Sequence, residues 1–351
     1  MDAEALERRR YLTDLFSGPF PGHAIIMDPE IRESYLQMRP YGDFSLPHRP
    51  LADWLPHLLQ RYEDELKVHE ATDDDAVPYV KLSTGTELFA SAFGCPVHVF
   101  EDSPPCALPL VTTAAEADEL EVPGLDAPPL ARVFEMARMV RERVGPHVPI
   151  AVPDIQSAFD IAALIWRKED MFIATITHPD AVKRLVDKCQ RLLKAFFDAF
   201  IRDVGECNLC HCPVAWAPPE LGVWLSEDEA GSLSSSMFDE FCLPTLIDLS
   251  QTYGGLFVHC CANADHQYRN FARIPNLRGL NRVFQAPGPR PAIEMFSEKT
   301  VIMVAWTSEH KVYEMLDMAL PETRFLFNMG AQPLEEARRT YDRLRERCPR
   351  A

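Results

Sequence analysis

At 351 residues, 47% hydrophobic and 25% charged, the chain can bury a large core as one big domain or two small ones. Its formal charge of −18 argues against nucleic acid or an anionic membrane surface as partner, because binding either requires a basic surface. No run approaches the roughly 18 apolar residues of a membrane span, and the start from Met1 to Arg10 lacks an apolar signal core, so a cytoplasmic protein is expected.

In chain order, the part up to about residue 129 reads as an irregular N-terminal cap that also carries the first barrel elements. It comprises a helix from Glu4 to Phe16, a proline-rich passage from Pro19 to Pro56, and a helix from Leu55 to Val68. The acidic run Asp73-Asp74-Asp75 reads as a solvated turn. A short helix from Glu87 to Phe93 then turns through Gly94-Cys95-Pro96 into a strand from Val97 to Phe100.

Beyond residue 129 the rhythm becomes regular. A helix from Leu130 to Val144 leads to the strand Pro149 to Val152, and helices follow from Phe159 to Trp166 and from Ala181 to Val204, the second with a long apolar stripe. A strand from Asn208 to Val214 precedes a helix from Met237 to Tyr253. Strands Leu256 to Val258, Leu277 to Leu280, Thr300 to Ala305 and Arg324 to Asn328 follow, and Pro333 opens a last helix, Leu334 to Arg347. This alternation predicts one α/β domain over 1–351, a (β/α)8 TIM barrel occupying about 130–351 behind the cap. No G-x-G-x-x-G follows a strand, so a dinucleotide fold has little support.

The densest chemistry lies where the strand Leu256 to Val258 runs into His259-Cys260-Cys261. Residues i and i+2 of a strand face the same side, so His259 and Cys261 can offer a nitrogen and a sulfur to one point, the donors Zn²⁺ prefers. Cys260 would face the other way and pack as a small apolar group. The alternative is a core histidine beside ordinary buried thiols.

Ten cysteines without an export signal suit a reducing compartment, with thiols free for metal binding or catalysis. Cys207-Asn208-Leu209-Cys210-His211-Cys212 contains a C-x-x-C-H spacing, but haem attachment would require export. A strand with Leu209 and His211 on one face, and Cys210 and Cys212 on the other, is expected instead, one of those faces lining the cavity of His259.

In a barrel, active groups stand just past the C-terminal ends of strands. That rule selects Asp154 and Gln156, His211 and Trp216, Asn281 and Arg282, Trp306 to His310, and Asn328 to Gly330. The stretch from Gly222 to Ala230 reads either as a helix cap at Ser226 or as a lid whose Trp224 and Asp228 reach the substrate. Asp154, His211 and Asp228 are the candidate acid/base groups. Gln156, Trp216, Trp224, Asn281, Arg282 and Trp306 are the candidate substrate contacts, with Arg282 as an anion clamp.

Four passages carry a family resemblance: Glu87 to Val97; Asp228 to Pro244, with Leu233-Ser234 and Phe241-Cys242-Leu243-Pro244; Val258 to Cys261 followed by Leu277 to Asn281; and Phe327-Asn328-Met329-Gly330 before Pro333. In these the chain resembles the uroporphyrinogen decarboxylase superfamily, specifically its zinc-dependent cobamide methyltransferases, over about residues 6 to 346. The resemblance implies Zn²⁺ on His259 and Cys261. A third ligand, cysteine in those methyltransferases, is replaced here by Met329, whose thioether is a poor zinc donor; Glu309, Asn281, Cys260 or water remain to complete the shell.

It further implies methyl transfer between a small thiol or methylated substrate and a corrinoid. The chain lacks the Asp-x-His-x-x-Gly motif, so a separate corrinoid protein would supply that cofactor, and a homodimer is in keeping with the superfamily. Ala24 to Arg32 lacks the arginine-rich substrate motif of the haem-pathway decarboxylase, which excludes that reaction as the expectation. A decarboxylase or lyase acting on another small carboxylic acid, and a catalytically silent binding protein, are the alternatives.

Overall fold

The computed structural model describes residues 3–29, 45–100 and 103–350; residues 30–44, with Glu30, Ile31 and Arg32 and the middle of the proline-rich passage, lie outside them. Parallel strands form a six-stranded sheet, in spatial order Ala24–Pro29, Phe325–Gln332, Val301–Thr307, Leu277–Arg282, Leu256–Cys260 and Val223–Ser226. A three-stranded parallel sheet holds Val80–Lys81, Ile150–Ala151 and Cys207–Asn208. The two sheets join where Gln156 bridges Ser226 and the Ser226 N–H donates to the Ile155 carbonyl at 2.8 Å. Helices between successive strands cover the outside, giving the TIM barrel expected. One unit departs from the repeat: between Cys207–Asn208 and Val223–Ser226 stands only the short 3-10 turn Pro219–Leu221.

At the second seam the acidic run takes a role that its composition conceals. The N–H groups of Ile25 and Met27, on the edge strand Ala24–Pro29, donate to the carboxylates of Asp75 and Asp74, each at 2.7 Å. These acids stand where a neighbouring strand's carbonyls would be, so the edge keeps its hydrogen bonds. Asp74 and Asp75 are buried and held by His69 at 2.7 Å, by Arg345, and by Arg350 at 2.9 Å. The solvated turn expected here is corrected accordingly.

Ladder partners face the same way, so His259, Asn281, Met303 and Leu326, paired in turn across four strands, line the barrel interior. One layer below His259 come Phe257 and its partners Trp224 and Gly279. Trp224 and Phe257 stack at 4.0 Å, and Phe16 of the helix Ala3–Ser17 meets both rings edge-on, forming an aromatic floor beneath His259. Gly279 is required there: a Cβ would stand 2.8 Å from Phe257 and Met303.

The outer helices follow the sequence pattern with local differences. Pro179–Asp203 begins on a proline in its first turn, and its stripe buries Leu185, Leu192, Phe196 and Phe200, each worth about 1.5–3 kcal/mol when fully removed from water. The expected single helix from Met237 to Tyr253 is two, Ser235–Phe241 and Leu243–Tyr253. Pro244, which cannot continue a helix from within, sits in the first turn of the second. Lys168–Thr177 is a further helix. Among the described residues no helix is long and apolar enough to cross a membrane.

Candidate metal centre

His259 and Cys261 come together as the alternation requires, with Asp228 beside them. One ligand atom from each lies within 4.8 Å of the others. His259 is buried in the strand Leu256–Cys260, Cys261 is exposed just past its end, and Asp228 is half-buried past the end of Val223–Ser226. The Cys261 N–H donates to Asp228 Oδ1 at 2.7 Å and the Glu227 N–H to the His259 carbonyl at 2.8 Å, so the two strand ends are clasped. Cys260 is wholly buried on the opposite side.

Asn281 sets the orientation of the imidazole. Its amide nitrogen donates to the Met303 carbonyl at 2.8 Å, which leaves Oδ1 facing His259 Nδ1 in a short hydrogen bond. With Nδ1 engaged, Nε2 is the nitrogen left to face a metal. Burial opposes a charge on His259, but the neighbouring Cys212 and Cys261 side chains and the charge of Asp228 outweigh it and hold the ring well above the usual histidine range. A site that favours a proton here also favours a metal cation.

Beneath Asp228 lies a buried acid pair. The Asp160 carboxylate accepts the N–H groups of Asp228 at 2.7 Å and Glu229 at 3.0 Å, fixing the loop that carries Asp228. Burial, and then the charge of Asp228, push the Asp160 carboxyl up to about 8. Burial and the Asp160 charge also drive the wholly buried Glu227 well above the carboxylate range. Of the three acids, Asp228 is the one that reaches the cluster.

On the other wall, the rings of His211 and His259 are 6.3 Å apart. Burial, and then Lys81 and His259, keep His211 well below the usual histidine range, and its Nδ1 lies buried 3.7 Å from Asp154 Oδ1. Gln156 donates to Asp154 at 2.7 Å. Burial raises the Asp154 carboxyl, against the lowering influence of Lys81. The Lys81 ammonium itself holds the His211 carbonyl.

Four expectations are corrected. Trp224 belongs to the floor beneath the site, and Val223–Ser226 is a strand, so Ser226 caps no helix; Ser234 does, accepting the Met237 N–H at 3.2 Å. Trp216 is buried under Arg9, 5.0 Å from the guanidinium, on the side of the helix Ala3–Ser17. Arg282 is spent on its own loop, donating to the carbonyls of Cys260 and Ala262 and pairing with Asp265 at 3.0 Å, so it is no free anion clamp. Met329 alternates with the inward Asn328 and Leu326 and thus faces the outer layer. The other suggested ligands fare no better: Cys260 points away, Asn281 serves the ring, and Glu309 pairs with Arg343 at 2.8 Å. Trp306 stands on the rim, 63% exposed, with a left-handed φ of 49°.

Sequence reasoning missed Lys81, Cys212 and the acid pair. The Cys207–Cys212 run did signal the first wall, but the strand ends at Asn208, so alternation no longer separates His211 from Cys212 and both abut His259.

A carboxylate, an imidazole and a thiolate suit Zn²⁺ in donor type. Among solved structures, a methyltransferase from Methanosarcina mazei superposes with a TM-score of 0.70 at 16% identity, over 96% of this chain and 98% of that one, a likeness of fold. The metallated homocysteine methyltransferase MmuM from Escherichia coli gives a TM-score of 0.33 at 12% identity over 92% of this chain and 96% of that one, too low to carry an argument. No curated protein matches the chain in sequence. The model of the family described as uroporphyrinogen decarboxylase (URO-D) matches residues 65–280, more than half of the chain, and the protein belongs to that family.

Proposed function

We propose that this chain is a zinc-dependent methyltransferase, moving a methyl group between a corrinoid on a partner protein and a small thiol or methylated substrate. The convergence of Asp228, His259 and Cys261 at the barrel mouth carries the reading; family membership and the fold shared with the M. mazei methyltransferase support it. Zinc bound there would supply a positive charge that keeps a substrate thiol ionised near neutral pH.

The chain's own residues do the rest. Asn281 presents His259 through Nε2, Asp228 holds the Cys261 backbone and offers a second oxygen, and the aromatic floor of Phe16, Trp224 and Phe257 lies beneath His259. His211, kept neutral, stands with Nδ1 3.7 Å from Asp154 Oδ1, and this pair is the acid/base candidate beside the site. Trp306 offers an exposed aromatic face at the entrance.

Mixing the protein with methylcobalamin and a panel of small thiols, and following loss of the methyl–cobalt absorbance, tests the proposal. Thiol-dependent demethylation by the wild type and its absence in Cys261→Ser are expected; a variant as active as the wild type overturns it. A decarboxylase or lyase acting on a small carboxylic acid is the second reading, favoured by the Asp154–His211 pair beside Lys81. Carbon dioxide released from small acids by Cys261→Ser as fast as by the wild type would establish it instead.

A further inference from the structure

At the end of the barrel opposite the metal centre, a cavity of about 370 Å³ opens where the strands Leu277–Arg282, Val301–Thr307 and Phe325–Gln332 begin. Arg278, Lys299 and Arg324 line it, together with Asn276, the exposed Glu298 and the segment Ser17 to Pro19. Three cations around one cavity stand out in a chain of formal charge −18. Among the described residues none of the three pairs with a carboxylate.

Helix ends account for part of this charge. Arg324 is 1% exposed, and its Nη1 donates to the carbonyls of Leu15 and Gly18 at 2.6 and 2.5 Å. Arg278 donates through Nη1 to the Ser17 carbonyl at 3.1 Å and through Nη2 to the Gly254 carbonyl at 3.5 Å. These carbonyls close the helices Ala3–Ser17 and Leu243–Tyr253, and a helix C-terminus carries about half a negative charge. Two such ends offset about one guanidinium, so with Lys299 about two positive charges remain.

Hydrogen-bonding capacity is left over as well. Arg324 Nε and Nη2, and Arg278 Nε, are buried without a partner. Burial, and then the neighbouring Arg278 charge, pull the Arg324 guanidinium below its usual range, as befits a cation short of an anion. Water can satisfy such donors, but it brings no charge.

We propose that this cavity is a second ligand site, taking a small doubly charged oxyanion, a phosphate monoester or a dicarboxylate, on Arg278 and Arg324 with the exposed Lys299 beside them. Guanidinium forks match the paired oxygens of either group. The site is independent of the metal-centre reading, because its residues stand at strand starts whereas Asp228 and Cys261 lie past strand ends. Catalytic groups of a barrel belong to that other end, so the anion here steadies the fold and takes no part in the reaction.

Calorimetric titration of full-length, tag-free protein with glycerol phosphate and with succinate, in low-salt buffer free of other oxyanions, tests the proposal. One site per chain is expected for at least one of them, and the tighter binder identifies the class. Arg278→Gln should weaken that binding at least about tenfold and the surface change Lys299→Gln about threefold. Cys261→Ser, at the far end of the barrel, should bind as the wild type does. Bound anion should also raise Tm, and do so less in both cavity variants. No binding of either anion up to about 10 mM, or binding unchanged in Arg278→Gln and Lys299→Gln, overturns the proposal, as does binding lost in Cys261→Ser alone.

Discussion

Replacing Asn281 by alanine isolates the claim that the imidazole is oriented for a metal. Asn281 is fully buried, accepts from His259 Nδ1, and donates to the Met303 carbonyl. Without it the ring can rotate, and the proton can move to the nitrogen that should face the metal. Loss of such an orienting partner costs about 10- to 100-fold in metal affinity, equivalent to about 1.4–2.7 kcal/mol. The buried groups left unpaired cost the fold a further 1–3 kcal/mol or so each, a drop of several degrees in Tm. Cys260→Ala is the control, because Cys260 adjoins the same ring in sequence but packs on the opposite side; it should lower Tm and leave affinity unchanged. Competition against a chromophoric chelator reads the affinity and thermal melting reads the fold. A folded Asn281→Ala protein that binds metal within twofold of the wild type would refute the reasoning.

Two predictions concern the seam. Burial, eased only partly by Arg61, raises the Glu65 carboxyl from 4.5 to about 7; the folded state then holds this proton more tightly than the unfolded chain, so its contribution is complete below pH 4.5 and lost as pH rises through 7. Relative to Glu65→Gln, the wild type should lose up to about 3 kcal/mol across that window in denaturant titrations, and a pH-independent difference would contradict this. Asp74→Ala removes the acceptor of the Met27 N–H and should cost about 1–3 kcal/mol in urea unfolding, whereas a solvated turn predicts a change below about 0.5 kcal/mol.

The barrel was legible because its periodicities are local. The last helix, Leu334–Arg347, starts where Pro333 places it, and His259 and Cys261 share a point because alternation in one strand suffices. What required distant partners was not legible. Asp228 joins Cys261 through a bond spanning 33 residues, and Asp74 and Asp75 serve an edge strand 47 and 50 residues away, which no acidic run announces.

Val223–Ser226 is buried on both faces, as parallel barrel strands are, so nothing in its apolar run showed that Trp224 points down to the floor and not out as a lid. Met329 failed for a related reason: a position in the final strand does not say which face it takes, and one residue's shift turns a side chain from the cavity to the helices.

The claim beneath all of this is that Asp228, His259 and Cys261 hold an ion. Metal analysis of tag-free protein, reduced and freed of loosely bound ions, tests it most directly. The account predicts close to one zinc per chain in the wild type and almost none in Cys261→Ser; a wild type purified with less than about 0.2 equivalents, unable to take up added zinc, would contradict it.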